Sequence, residues 1–157
     1  MSQRTYVLLP AFLLLLSLFM PALSVSGRNE FGYSLLVFGW FQSYIAITAI
    51  ENWYAHGMID SESLRSSLFM AFPWFANISI VLSVGFLAVS KFKLALIFSI
   101  FALLCVIVFF INPVAMLGAD GIAVEVTPLI GAYLWALSAL ACFALVVLHG
   151  RRAKENT

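Results

Sequence analysis

Catalysis needs polar or titratable side chains at workable spacing, and this sequence offers few of them. Glu51, His56 and Asp60 share one polar stretch. They are the clustered titratable set that a membrane enzyme acting on lipid or quinone would use for proton transfer. No Gly-rich phosphate loop, no carboxylates paired on one face, no Cys-x-x-Cys and no Ser/His/Asp set is present. Cys105 and Cys142 lie deep inside apolar stretches, away from the loops that a disulfide framework or zinc site would use, and read as small buried hydrophobes. A proton-coupled exporter would need a carboxylate within a span, and a quinone-linked thiol oxidase would need loop cysteines. The sequence supplies neither, and it implies no cofactor and no metal.

Binding chemistry has better candidates. The run Phe72-Pro73-Trp74-Phe75-Ala76-Asn77 puts a helix-kinking proline, an indole and an amide within six residues. Trp74 and Asn77 are therefore candidate binding residues. The amide is expected to hydrogen-bond across to another helix, a contact typically worth about 0.6–2 kcal/mol. Glu51 and Asn52, which close an apolar run and precede Trp53 and Tyr54, form a second candidate pair near a membrane surface. The small residues of Gly131-Ala132-Tyr133-Leu134-Trp135-Ala136, followed by Ser138, Ala139 and Ala141, read as a close-packing helix face.

The elements that must hold these residues follow from composition. Of 157 residues, 64% are hydrophobic and 10% charged, against about 25% charged in a typical soluble domain. Apolar runs of about 18 or more residues read as spanning helices, and such helices satisfy their own backbone polar groups. Four spans are expected, at 6–25, 68–89, 94–111 and 129–148. The third is the cleanest, with fourteen Leu, Ile, Val and Phe side chains. A fifth apolar segment, 35–50, carries Gly39, Gln42, Ser43 and Thr48. As a helix it is only about 24 Å long, against a hydrocarbon core of about 30 Å. It is expected to lie at the interface or re-enter without crossing. The fold class expected is thus an all-α membrane bundle of about four transmembrane helices plus this segment, in a single domain.

Charge sets the expected orientation. With the N-terminus inside, Arg4, Lys91, Lys93, Arg151, Arg152 and Lys154 are cytoplasmic and Arg28 and Arg65 are outside. A five-span arrangement exchanges Arg4 for Arg28 and scores the same. In both, 112–128 is outside and the C-terminus is cytoplasmic. Arg4, the apolar core and Ala22-Leu23-Ser24 also fit the outline of a secretory signal peptide. That core is longer than usual and carries Pro10 and Pro21, so an uncleaved first helix is expected.

Pro21-Ala22-Leu23-Ser24, Gly39-Trp40, Trp74-Phe75-Ala76-Asn77 and Gly131-Ala132-Tyr133-Leu134-Trp135-Ala136-Leu137-Ser138 are spread over most of the chain. In these short motifs it resembles a loosely defined group of small, functionally uncharacterised bacterial multi-span membrane proteins. It departs from the group pattern where Ile78, not proline, follows the asparagine, and in a longer stretch between Trp40 and Trp74. The resemblance implies four spans with the N-terminus inside and no activity.

The function expected is that of a non-enzymatic bacterial inner-membrane protein acting by binding. It would be an accessory subunit or an outer-leaflet recognition protein, a bacteriocin-immunity role being one concrete version. Its partners would be the lipid bilayer and another membrane protein or itself. A net charge of +1 with no basic stripe excludes nucleic acid. The alternatives are a small transporter or channel component, then the membrane enzyme.

Overall fold

The computed structural model describes residues 3–25, 27–57, 61–116 and 123–155. Asp60 and Asp120 fall outside them. Among the described residues, six helices and five short strands follow in chain order: α1 (Gln3–Phe19), β1 (Pro21–Val25), β2 (Arg28–Phe31), α2 (Gly32–His56), α3 (Ser61–Ala71), α4 (Phe75–Ala88), α5 (Phe92–Ile111), β3 (Val114–Met116), β4 (Ala123–Glu125), β5 (Thr127–Pro128) and α6 (Ile130–Glu155).

The chain is mainly helical, but it is not purely α. The first apolar run, expected to be helical over 6–25, leaves the helix at Phe19. Pro21 has no N–H to continue the ladder, and Pro21–Val25 instead forms β1. This strand pairs antiparallel with β2 on one edge and β5 on the other. Gly27, at φ +81°, supplies the left-handed residue of the β1–β2 turn. β3 pairs antiparallel with β4.

The segment expected at 35–50 is part of one continuous 25-residue helix, α2. Its polar residues do not break it, because Ser43 donates to the Gly39 carbonyl and Thr48 to those of Tyr44 and Ile45. Gly57 ends it in the left-handed conformation, at φ +63°. The span expected at 68–89 is two helices. Between α3 and α4, residues 72–74 turn with Phe75 N–H donating to the Phe72 carbonyl and Ala76 N–H to that of Pro73.

Helices α1, α4, α5 and α6 pack as a bundle, while α2 packs chiefly on α3 and touches α1, β1 and β2 near its start. The bundle sorts its side chains by size. Its inner faces carry Ala76, Ile80 and Ser83 from α4, Ala95, Ser99, Ala102 and Cys105 from α5, and Ala132, Ser138, Ala139 and Cys142 from α6, all buried. Large apolar residues such as Val81, Ile97, Leu104, Ile107 and Leu140 face outward. A water-soluble protein rarely exposes apolar surface on this scale, whereas membrane helices associate through small residues and leave large ones to lipid.

Hydroxyls and a thiol link the helices. Ser138 Oγ donates to the Pro10 carbonyl at 2.7 Å, Ser83 Oγ to the Ala95 carbonyl at 2.7 Å, and Cys142 Sγ to Ser83 Oγ at 3.2 Å. Among the described residues, four runs are long and apolar enough to cross a membrane: Gly32–His56, Leu64–Ala88, Phe92–Ile111 and Ile130–Gly150. Leu64–Ala88 reaches that length only by counting α3 and α4 together across their break. The α1 helix, at about 25 Å, is shorter than a full hydrocarbon core. The architecture is that of a multi-pass helical membrane protein.

Candidate functional site

The end of α1, the starts of α4 and α6, the end of α5 and the small sheet all meet at one end of the bundle, called here the sheet end. Close backbone approaches hold it together. A Cβ on Gly32 would run into the Ser17 carbonyl, and one on Gly131 would sit 2.9 Å from the Met20 carbonyl oxygen. Leu129 N–H donates to the Ala22 carbonyl at 2.8 Å and Gly32 N–H to that of Met20 at 3.1 Å. These contacts bring the first turns of α2 and α6 against the end of α1.

The α3–α4 break supplies the other side. Trp74 reaches α2, where its indole Nε1–H donates to the Leu36 carbonyl at 2.9 Å. The ring lies against Gly39, whose missing Cβ would come within 2.6 Å of the indole Cδ1. Only a residue without a side chain leaves room for the indole there.

Between α2 and the bundle end these contacts leave a partly open cavity of about 110 Å³. Its lining includes Leu36, Gly39 and Gln42 from α2, Trp74 and Asn77 at the break, and Trp135 from α6. Of the four binding candidates from the sequence, Trp74 and Asn77 thus come together in one cavity wall. Asn77 does not bridge to another helix through its described bond: Nδ2 donates to the Trp74 carbonyl of its own first turn at 3.1 Å. The preceding break exposes that carbonyl at just the right spacing for the amide to reach back.

Glu51 and Asn52 lie elsewhere. Both are exposed near the far end of α2, and His56 shares a 2.7 Å hydrogen bond through Nδ1 with the Asn52 carbonyl. Neither residue lines the cavity. Among the described residues no group of three or more His, Cys, Asp or Glu converges on a metal-sized site.

Two cavity residues carry more than the sequence suggested. Gln42, within the ambiguous apolar segment, faces the bundle and not lipid. Trp135, read as part of a packing face, has a buried indole N–H with no hydrogen-bond partner among the described residues. Only the residue type pointed to this, since a buried indole usually finds an acceptor.

The cavity can therefore do limited chemistry. Among the described residues its lining contains no Asp, Glu, Lys, Arg or His, and these residues offer no acid or base for proton transfer at neutral pH. It offers aromatic and aliphatic surface with a few amide, hydroxyl and indole groups, the usual make-up of a small-molecule pocket. No family model matches the chain, and comparison with curated proteins and with solved structures finds no match either.

Proposed function

We propose that this chain is a non-enzymatic protein of the bacterial inner membrane that works by binding, at the cavity between α2 and the sheet end of the bundle. The observation that carries this reading is the convergence of Trp74, Asn77 and Gln42 with Trp135 around one uncharged, partly open space. The positive-inside tally puts the sheet end at the outer face and the Lys91 and Lys93 turn in the cytoplasm. On this orientation the site opens near the outer leaflet. That suits an accessory subunit, or a recognition protein of the bacteriocin-immunity kind that occupies a docking surface.

A transporter or channel would need a polar path between helices. The buried serines do not favour one, because Ser17, Ser79 and Ser99 donate to carbonyls of their own helices and Ser83 and Ser138 to neighbouring ones.

The test is site-specific photo-crosslinking in cells. A photoreactive residue in place of cavity-lining Leu36 should give a discrete adduct, and one in place of exposed Tyr54 should not. Filling the cavity with Ala132→Leu should abolish the Leu36 adduct. Equal adducts from both positions, or an adduct indifferent to filling, would contradict the reading.

A further inference from the structure

Beside the face that packs on the chain, α2 carries a second ordered stripe. Tyr33, Val37, Trp40, Tyr44, Ile47 and Glu51 follow one another at alternating steps of four and three residues. On a helix of 3.6 residues per turn such steps hold the side chains within about 40° of one line, the repeat of a helix–helix seam. All of them are exposed, and the first four are more than half so. The stripe lies about 110° round from Gly32, Ser43 and Ala46, the residues that α2 buries against the rest of the chain. It therefore occupies one flank of α2. Phe38 and Phe41, also exposed, point to another side.

The stripe matches itself when reversed. Laid antiparallel on a second copy about the level of Gln42, it sets Trp40 against Tyr44, Val37 against Ile47 and Tyr33 against Glu51. These are an aromatic pair, a β-branched aliphatic pair, and a phenol O–H placed to donate to a carboxylate. A two-fold interface requires this property, since residue i meets j and j meets i. Lipid tails cover apolar surface whatever its order, and they give a phenol or a carboxylate no partner. Pairing in parallel would set Glu51 against Glu51, a like-charge contact.

Membrane geometry favours the same arrangement. Two copies in one bilayer share an orientation, so their two-fold axis runs along the membrane normal. That axis reverses a helix lying along the membrane surface and keeps a crossing helix parallel to its copy. The antiparallel match thus suits an α2 that does not cross, the arrangement expected for 35–50.

We propose that α2 pairs antiparallel with α2 of a second copy of this chain along this stripe, as a two-fold dimer in the membrane. The pairing goes beyond the cavity reading and holds whether the cavity is filled or empty. It does require that α2 not cross.

The test is thiol linkage between full-length copies in isolated membranes. Two differently tagged chains are co-expressed, one with Val37→Cys and the other with Ile47→Cys. The native Cys105 and Cys142 are buried, and a chain without added cysteine serves as control. In the antiparallel pair each substituted position lies about 15 Å along the axis from its own copy. A bifunctional thiol reagent too short for that span should link the mixture into a dimer bearing both tags. Either variant expressed alone should give no linked product, and Phe38→Cys in place of Val37→Cys should lose it. Tyr33→Cys with Glu51→Cys should link as Val37→Cys with Ile47→Cys does. Linkage of a variant to its own copy would show a parallel pair, and no linkage in any mixture would show that lipid covers the stripe. Either result would overturn the proposal. The Leu36 adduct and its loss in Ala132→Leu test the cavity reading separately.

Discussion

The indole N–H of Trp74 and the carbonyl of Leu36 lie 2.9 Å apart and join the break between α3 and α4 to the second turn of α2. The acceptor is a helix carbonyl that also has a place in the ladder of α2, so the bond needs Trp74 to approach α2 closely. Gly39 makes that approach possible. Together the two contacts fix how far α2 stands from the bundle, and so the height of the cavity.

Trp74→Phe keeps an aromatic ring beside Gly39 but removes this bond and part of the indole volume. It should destabilise the α2 packing by about 0.5–1.5 kcal/mol. Hydrogen exchange in detergent should speed up for the amides of α2 and stay unchanged in α5. Gly39→Leu should be worse, because its side chain and the indole claim the same space. Uniform acceleration in both helices would show that Trp74 supports the bundle and not the roof.

Asn77→Leu should change stability by less than about 1 kcal/mol, since the described amide bond is local to the first turn of α4. A detergent melting curve measures this directly. A larger loss would mean that the amide also serves a neighbouring helix.

Ser83→Ala should be the more damaging of two conservative changes in the bundle interior. It removes a donor to α5 and the acceptor for Cys142 of α6, at a cost of about 0.6–1.7 kcal/mol. Cys142→Ala removes one weak sulfur donor and should cost less. Both cysteines are buried, so a membrane-impermeant maleimide should label neither in intact cells. Rapid labelling of Cys142 would reveal a water path to mid-bundle and revive the transporter reading.

The bundle was legible from the sequence wherever apolar residues ran long enough. Helices α5 and α6 begin within two residues of the expected 94 and 129. The sheet was not legible. Pro21–Val25 continues an apolar run, and periodicity alone does not separate a short buried strand from a helix end. Its β5 partner, Thr127–Pro128, pairs with Ser24 and Leu23 from the far end of the sequence. Trp74 and Asn77 stood out because a proline, an indole and an amide crowd one helix start. Trp135 did not, because an orphaned N–H is a property of its surroundings.

The central claim proposed is that α2 does not cross the membrane, so that 55–67 lies on the outer side and the site at the outer end of the bundle. By length and hydropathy α2 is itself able to cross, so the claim is exposed to direct test. Tyr33, Trp53 and Tyr54 lie at its two ends, where spanning helices gather Trp and Tyr, whereas Trp40 and Tyr44 lie in its middle and argue against crossing. The decisive measurement is a pair of reporter fusions after Asp60, in the connection between α2 and α3. Alkaline phosphatase there should be active, and a fluorescent protein that matures only in the cytoplasm should stay dark, with the reverse result for fusions after Lys93 and at the C-terminus. Inactive phosphatase and bright fluorescence after Asp60 would establish that α2 crosses the membrane and would contradict the account.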